Sequence, residues 1–151
     1  MQDGVVVVEL GAGTGAFTSE IISRLPPTGK LILVEINHEQ AGHLREHFTD
    51  KRVLIIEGDA AGLKTILAEN DIATADYVIS GLPLGNFSRQ TVNRILREIY
   101  ESLKDDGLYI QFQYLLVDWF NIKAFFKVKI ATYELRNLPP AFVYHCRKKQ
   151  K

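Results

Sequence analysis

The sequence predicts an α/β fold, a mostly parallel seven-stranded sheet with helices on both faces and a C-terminal antiparallel hairpin, and three observations predict it. Short β-branched runs alternate with stretches of helical spacing as far as Gln113, which is βαβ order. A glycine-rich turn, Gly11–Gly15, joins the first strand to the first helix, where a sharp reversal and a close backbone approach are needed. Finally, Phe125–Tyr133 and Ala141–Arg147 are two strand-like runs with no helix between them, and so they read as a hairpin.

Element by element, Val5–Leu10 is a buried strand, and Phe17, Ile21, Ile22 and Leu25 then share one helical face that Pro26-Pro27 ends. Leu31–Glu35 is the second strand, and Ala41, Leu44 and Phe48 mark the second helix. Val53–Ile56 is the third strand; Leu63, Ile66 and Leu67 make a short helix before Asn70, and Tyr77–Ser80 is the fourth strand. Val92, Ile95, Leu96, Ile99 and Leu103 form the clearest amphipathic stripe, with Asp105-Asp106-Gly107 as its stop signal. Leu108–Gln113 is the fifth strand, and a short segment around Leu115–Phe120 precedes the hairpin. Right-handed crossovers make the five strands parallel, and the hairpin adds one antiparallel strand at or near an edge.

At 151 residues, without repeats or linkers, the chain reads as one domain over 1–151 with a single core. No apolar run approaches the roughly 18 residues of a membrane span, and no basic leader precedes Val5–Val8. The lone Cys146 excludes an internal disulfide and fits a reducing compartment, so a cytoplasmic location is expected. Charge is uneven. Residues 1–120 hold 10 Lys+Arg and 17 Asp+Glu, residues 121–151 hold 8 and 1, and the two parts therefore carry −7 and +7. The basic end, with Lys127, Lys129, Arg136 and the Arg147–Lys151 tail, suits peripheral contact with an anionic membrane or with nucleic acid, or serves as a solubilising tail.

Glu9-Leu10-Gly11-Ala12-Gly13-Thr14-Gly15 is the strongest functional signal. Dinucleotide-binding domains use G-x-G-x-x-G, whereas the spacing here is G-x-G-x-G with an acid in front. Glu9 would repel a pyrophosphate and attract the cationic aminoacyl end of S-adenosylmethionine; the alternative is a purely structural tight turn. Glu35, 20 residues after Gly15, stands at the carboxyl end of the second strand, where an acid accepts from ribose hydroxyls. Asp59, after the third strand, can accept from the adenine amino group or cap the helix that begins at Ala60. His43 and His47 lie four apart on a helix but have no third ligand, and no metal is expected.

With these motifs, Glu57-Gly58-Asp59-Ala60, Ser80-Gly81-Leu82-Pro83-Leu84, Gln111-Phe112-Gln113-Tyr114 and Asn137-Leu138-Pro139-Pro140-Ala141-Phe142-Val143-Tyr144 make the chain resemble the bacterial phospholipid N-methyltransferases over almost its whole length. That family methylates phosphatidylethanolamine stepwise toward phosphatidylcholine. The resemblance implies a Rossmann-like class I methyltransferase fold. It implies cofactor contact by Glu9, Leu10, Gly11, Ala12, Gly13 and Gly15, by Glu35 and Ile36, by Gly58, Asp59 and Ala60, and by Ser80 and Gly81. It sets Leu82, Pro83 and Tyr114 beside the transferred methyl, and Leu84, Asn137 and Tyr144 at the substrate. Members usually carry an N-terminal amphipathic helix that engages the membrane and closes over the cofactor, and this chain is expected to lack it. Gln113 stands where members usually have Thr, and His145-Cys146-Arg147-Lys148 replaces an aromatic-Arg-Arg ending; both departures bear on the substrate more than on the cofactor.

The Ser80–Leu84 turn follows the fourth strand, where amino-directed methyltransferases often place Asn/Asp-Pro-Pro-Tyr/Phe, and Leu84 cannot stack on a base. An aliphatic amine needs only alignment, desolvation and an outlet for its proton, so a phospholipid or related amine is the expected substrate. Tyr114 can orient that amine, and Tyr114 or Tyr144 can face the methylated cation, or each can be an ordinary sheet tyrosine. Pro139-Pro140 and Asn137 suit a structural turn. Trp119, Phe120, Ile122, Phe125 and Phe126 suit either a lipid interface or packing of the hairpin. Two rival functions remain in play, namely an rRNA or tRNA methyltransferase, and a cofactor-binding domain without turnover.

Overall fold

A computed structural model describes residues 4–113, 118–134 and 141–149. The strands are β1 (Val6–Leu10), β2 (Lys30–Glu35), β3 (Val53–Glu57), β4 (Ala75–Ser80), β5 (Leu103–Gln113), β6 (Phe126–Glu134) and β7 (Ala141–Lys148). The helices are α1 (Ala16–Arg24), α2 (His38–His47), α3 (Leu63–Glu69), α4 (Arg89–Ser102) and α5 (Trp119–Phe125), with 3₁₀ turns at Ala60–Gly62 and Leu84–Asn86. The sheet order is β3-β2-β1-β4-β5-β7-β6, with β1 to β5 parallel and β7 antiparallel to both β5 and β6. The hairpin thus inserts its second strand between β5 and the edge strand β6.

Side chains alternate across the sheet and build a core on each face. Val7, Leu31 and Leu33 pack with Ile21, Leu25 and Leu44 of the α1–α2 side. Val8, Leu10, Ile32 and Val34 pack with Leu63, Val92, Ile95 and Ile99 of the α3–α4 side. Burial on both faces explains why the central strands read as nearly continuous apolar runs. The direction of strand order reverses between β1 and β4, and the carboxyl ends of these strands therefore flank a crevice.

Two boundaries differ from the sequence reading. The chain leaves α4 after Ser102, and Leu103, extended at φ −85 and ψ 142, already pairs with Ala75. Pairing jumps from Ala75↔Leu103 to Tyr77↔Leu108, so Asp105-Asp106-Gly107 lies in a bulge at the start of β5 and does not stop the helix. Leu103 continues the helical stripe but buries its side chain from the strand instead. Likewise, the residues expected to lead into the hairpin form α5. Trp119, Ile122 and Phe125 fall three apart on one face, where Ile122 is fully buried, while Phe120 is 84% exposed. The carboxyl-end turns of the parallel strands, not these boundary shifts, position the site.

Candidate active site

The three turns at the crevice are tied to one another by backbone bonds. Gly11 N–H donates to Val34 O (3.0 Å), Gly58 N–H to Glu35 O (3.1 Å) and Gly81 N–H to Leu10 O (3.1 Å). Gly11, Gly13 and Gly15 all adopt positive φ (67, 56 and 84), the region that side-chain-bearing residues avoid. Thus the G-x-G-x-G spacing supplies three left-handed turns in five residues.

Glu9 is 1% exposed beneath this loop. Its Oε2 accepts from Thr18 Oγ1 at 2.7 Å, while Oε1 is buried with no hydrogen-bond partner. Burial pushes the carboxyl up to about 7, with the Thr18 bond opposing that shift. Glu35 is also buried, but its oxygens are engaged: Oε2 accepts from Gly13 N–H (3.2 Å) and Oε1 from Asn37 N–H (2.9 Å). The carboxylate therefore braces the glycine loop against the start of α2. Asp59 is exposed and caps its 3₁₀ turn through Oδ1, which accepts from Ala61 N–H at 2.9 Å.

A cleft of about 170 Å³ opens here, lined by Gly11, Val34, Glu35, Ile36, Gly58, Asp59, Ala60, Leu82, Phe87, Thr91 and Ile95. Seven of the expected residues meet in it: Gly11, Glu35, Ile36, Gly58, Asp59, Ala60 and Leu82. Val34, Phe87, Thr91 and Ile95 were not anticipated. The signal for them was present, since Val34 directly precedes Glu35 on β2, Thr91 and Ile95 are four apart on α4, and Phe87 immediately precedes its N-cap Ser88. A larger cavity, about 510 Å³, lies among Val5, Asp76, Asp106 and Arg147 at the opposite ends of the strands, away from the glycine loop and both buried acids. Size is therefore a poor guide to this site.

Leu10, Ala12, Gly13, Gly15, Ser80, Gly81 and Pro83 frame the turns without lining the cleft; Gly81 and Pro83 are exposed and Ser80 is fully buried, its Oγ accepting from Leu82 N–H at 3.3 Å. Gln111 Nε2 donates to Leu82 O at 3.0 Å and so holds the turn after β4 from beneath. Two expectations need correction. Leu84, expected at the substrate, is fully buried in the α4-side core because the Leu84–Asn86 turn points it inward. Tyr144, expected to present its ring to the substrate, is also fully buried, with its ring edge-on to Trp119 at 5.4 Å. Its place on β7 opposite Gln111 points it into the sheet interior. Tyr114 and Asn137 lie outside the described residues. Among the described residues, no three His, Cys, Asp or Glu side chains form a group able to hold a metal.

Residues 7–107 match the family described as "Methyltransferase domain". The chain belongs to the S-adenosylmethionine-dependent methyltransferases. It is 36% identical, over 97% of its length and 77% of the relative's, to the ornithine lipid N-methyltransferase of Singulisphaera acidiphila, which places it with the bacterial lipid N-methyltransferases. A shorter likeness, 33% identical over 62% of the chain and 30% of the relative, links this methyltransferase to the ribosomal RNA small subunit methyltransferase H of Syntrophotalea carbinolica. In three dimensions it resembles the PH0226 protein of Pyrococcus horikoshii, with a TM-score of 0.76 at 18% identity over 98% of this chain and 83% of that one, a likeness of fold.

Within the methyltransferase, Glu35→Ala is expected to weaken S-adenosylmethionine binding by about 1–3 kcal/mol, the usual cost of leaving polar partners unpaired. Isothermal titration measures it. An unchanged dissociation constant would show that Glu35 only braces the loop.

Proposed function

We propose that the chain transfers a methyl group from S-adenosylmethionine to the amine of a lipid headgroup, that of phosphatidylethanolamine or a related aminolipid, and releases S-adenosylhomocysteine. The whole-length likeness to an ornithine lipid N-methyltransferase carries this reading. The turn after β4 supports it, since Ser80–Leu84 contains no aromatic residue and buries Leu84, whereas a flat base needs a ring to stack on.

When bound, S-adenosylmethionine supplies an electrophilic methyl on a cationic sulfur. The residues present fit such a molecule, because Glu9 Oε1 is a buried acceptor without a donor, and the cationic aminoacyl end supplies one. Glu35 offers its carboxylate to the ribose in place of its present loop bonds. Asp59 keeps Oδ1 on Ala61 and presents Oδ2 to the adenine amino group, with Phe87 and Ile95 walling the base. Leu82 and Pro83, held through Gln111, shape the place of transfer, where catalysis is largely positioning. Tyr114 is the proposed orienting hydroxyl for the amine.

No helix among the described residues is long and apolar enough to cross a membrane. We place peripheral contact with anionic lipid on a groove of about 290 Å³ lined by Lys127, Lys129, His145 and Arg147. Lys148 is a poorer membrane contact, since it pairs with Asp105 (3.3 Å) and lies over the Tyr100 ring at 4.8 Å.

Incubation with radiolabelled S-adenosylmethionine, liposomes of phosphatidylethanolamine with anionic lipid, and total RNA is expected to put label in the lipid extract. Label in RNA alone would move the assignment to rRNA or tRNA methylation, and tight cofactor binding with no label anywhere would favour a domain without turnover. In the same assay, Lys127→Ala with Lys129→Ala should lower activity on liposomes by about 5- to 30-fold at low salt, at about 1 kcal/mol per surface cation. Cofactor affinity should stay as it was. An unaltered lipid activity would remove the groove from membrane contact.

A further inference from the structure

A row of buried polar side chains crosses the carboxyl end of β5. Tyr109 Oη donates to Gln111 Oε1 (2.6 Å), Gln111 Nε2 donates to Leu82 O and to Gln113 Oε1 (3.3 Å), and Gln113 Nε2 donates to Asp118 Oδ2 (3.2 Å). From the other side, Asn121 Nδ2 donates to Asp118 Oδ1 at 3.1 Å. The row ends on a carboxylate that is 5% exposed.

Asp118 occupies the N-cap position of α5, where an aspartate ordinarily accepts from the helix's own N–H groups. It makes no such bond and is turned toward Gln113 instead. Among the described residues its side-chain partners are the neutral amides of Gln113 and Asn121, and no Lys, Arg or His lies within ion-pair distance of it. Lys123, the cation on the same helix, lies over the Trp119 ring at 5.5 Å. A buried carboxylate without a cation is costly to keep. Near it the Tyr144 hydroxyl is also buried without a partner; burial first, then the Asp118 charge, push that hydroxyl up to about 12, so it stays a neutral group. A carboxylate without a cation and a hydroxyl without a partner therefore sit at the end of the row that also fixes Leu82, in the turn proposed above to shape the place of transfer.

We propose that Asp118, held by Gln113 and Asn121, is the seat of the substrate's ammonium group. The inference rests on the aminolipid reading above. An ammonium supplies the missing positive charge and N–H donors, gives up one proton to solvent to free the lone pair that takes the methyl, and leaves a methylated cation that the Asp118 charge still holds. Gln113 is the residue that orients the carboxylate from across the end of β5.

The test is steady-state kinetics of the full chain with radiolabelled S-adenosylmethionine on liposomes containing phosphatidylethanolamine or ornithine lipid. Asp118→Asn should raise KM for the aminolipid by about 10- to 100-fold, the worth of a charge-assisted bond, with kcat and cofactor affinity changed by less than about threefold. Asp118→Glu should recover part of the loss. A measurement on the wild type stands apart from the folding of any variant: phosphatidylcholine should inhibit competitively, and its uncharged carbon analogue, the 3,3-dimethylbutyl phospholipid, should do so at least about tenfold less well. Equal inhibition by both lipids, or an unchanged KM in a folded Asp118→Asn, overturns the seat and leaves the aminolipid reading standing. Wild-type protein that labels neither aminolipid overturns both.

Discussion

Glu9→Gln is expected to make the cofactor-free protein more stable above pH 7 while weakening its hold on S-adenosylmethionine. The Glu9 carboxyl is raised to about 7 by burial from an ordinary value of 4.5. Between those values the folded state keeps a proton that the unfolded chain has released, so stability falls as pH rises from about 4.5 to about 7 and is level beyond. The full cost of ionising Glu9 in place is about 3 kcal/mol. Glutamine keeps the Thr18 bond and carries no charge, but its NH₂ inherits the unpartnered position of Oε1, which returns about 1–2 kcal/mol of the gain. Denaturant unfolding at pH 5.5 and pH 8 should therefore show a stability loss in the wild type that the variant lacks, and a net gain for the variant of about 1–2 kcal/mol at pH 8. Affinity moves the other way. Loss of the charge opposite an ammonium should weaken cofactor binding about 10- to 100-fold near neutral pH, and the gap should narrow in acid as the wild-type carboxyl takes up its proton. A variant that binds as tightly as the wild type would place the aminoacyl end elsewhere. If both proteins shared one pH profile of stability, the raised carboxyl would be refuted.

Both effects concern a residue that was legible in the sequence, and its legibility has a physical basis. Val6–Leu10, Lys30–Glu35 and Ala75–Ser80 are buried on both faces, so their apolar runs stand out, and an acid within or at the end of such a run is conspicuous. The residues after each parallel strand must converge at the switch point, which is why Gly11, Glu35, Gly58 and Asp59 meet in one cleft. Local pattern fails where partners are remote. Gln111 and Leu82 are 29 positions apart, and nothing near either announces that an amide holds a carbonyl. Leu84 reads as a residue of the turn after β4, yet the 3₁₀ turn swings it into the core. α5 was hidden because aromatic residues suit a strand as well as a helix, and only the spacing of Trp119, Ile122 and Phe125 favours the helix. Asp118, just before it, carries no local signal of its burial, because its partner Gln113 lies across the end of β5.

Gly15→Ala is expected to be the most disruptive methyl that can be added to the glycine loop. Gly15 is buried, has φ 84 and supplies the N-cap position of α1 with no side-chain bond. An added Cβ would lie 2.7 Å from Phe48 Cζ, closer still to Cε2, and 3.3 Å from Leu44 Cδ2. Gly13, at φ 56, faces open space with no heavy atom within 4 Å of the same added carbon. The two glycines separate backbone strain from crowding. Gly13→Ala should cost about 1–2 kcal/mol, the penalty of a left-handed conformation for an ordinary residue. Gly15→Ala bears that strain and an overpacking term, about 2–5 kcal/mol in all, because the Phe48 ring closes the contact between α1 and the end of α2. Denaturant unfolding of both variants tests the ordering. The cause can be checked in turn by adding Phe48→Ala, since removing the ring should make the Gly15→Ala penalty fall toward that of Gly13→Ala. Equal penalties in the two single variants would mean that the ring swings aside freely, and that the third glycine of the motif is required for its backbone alone.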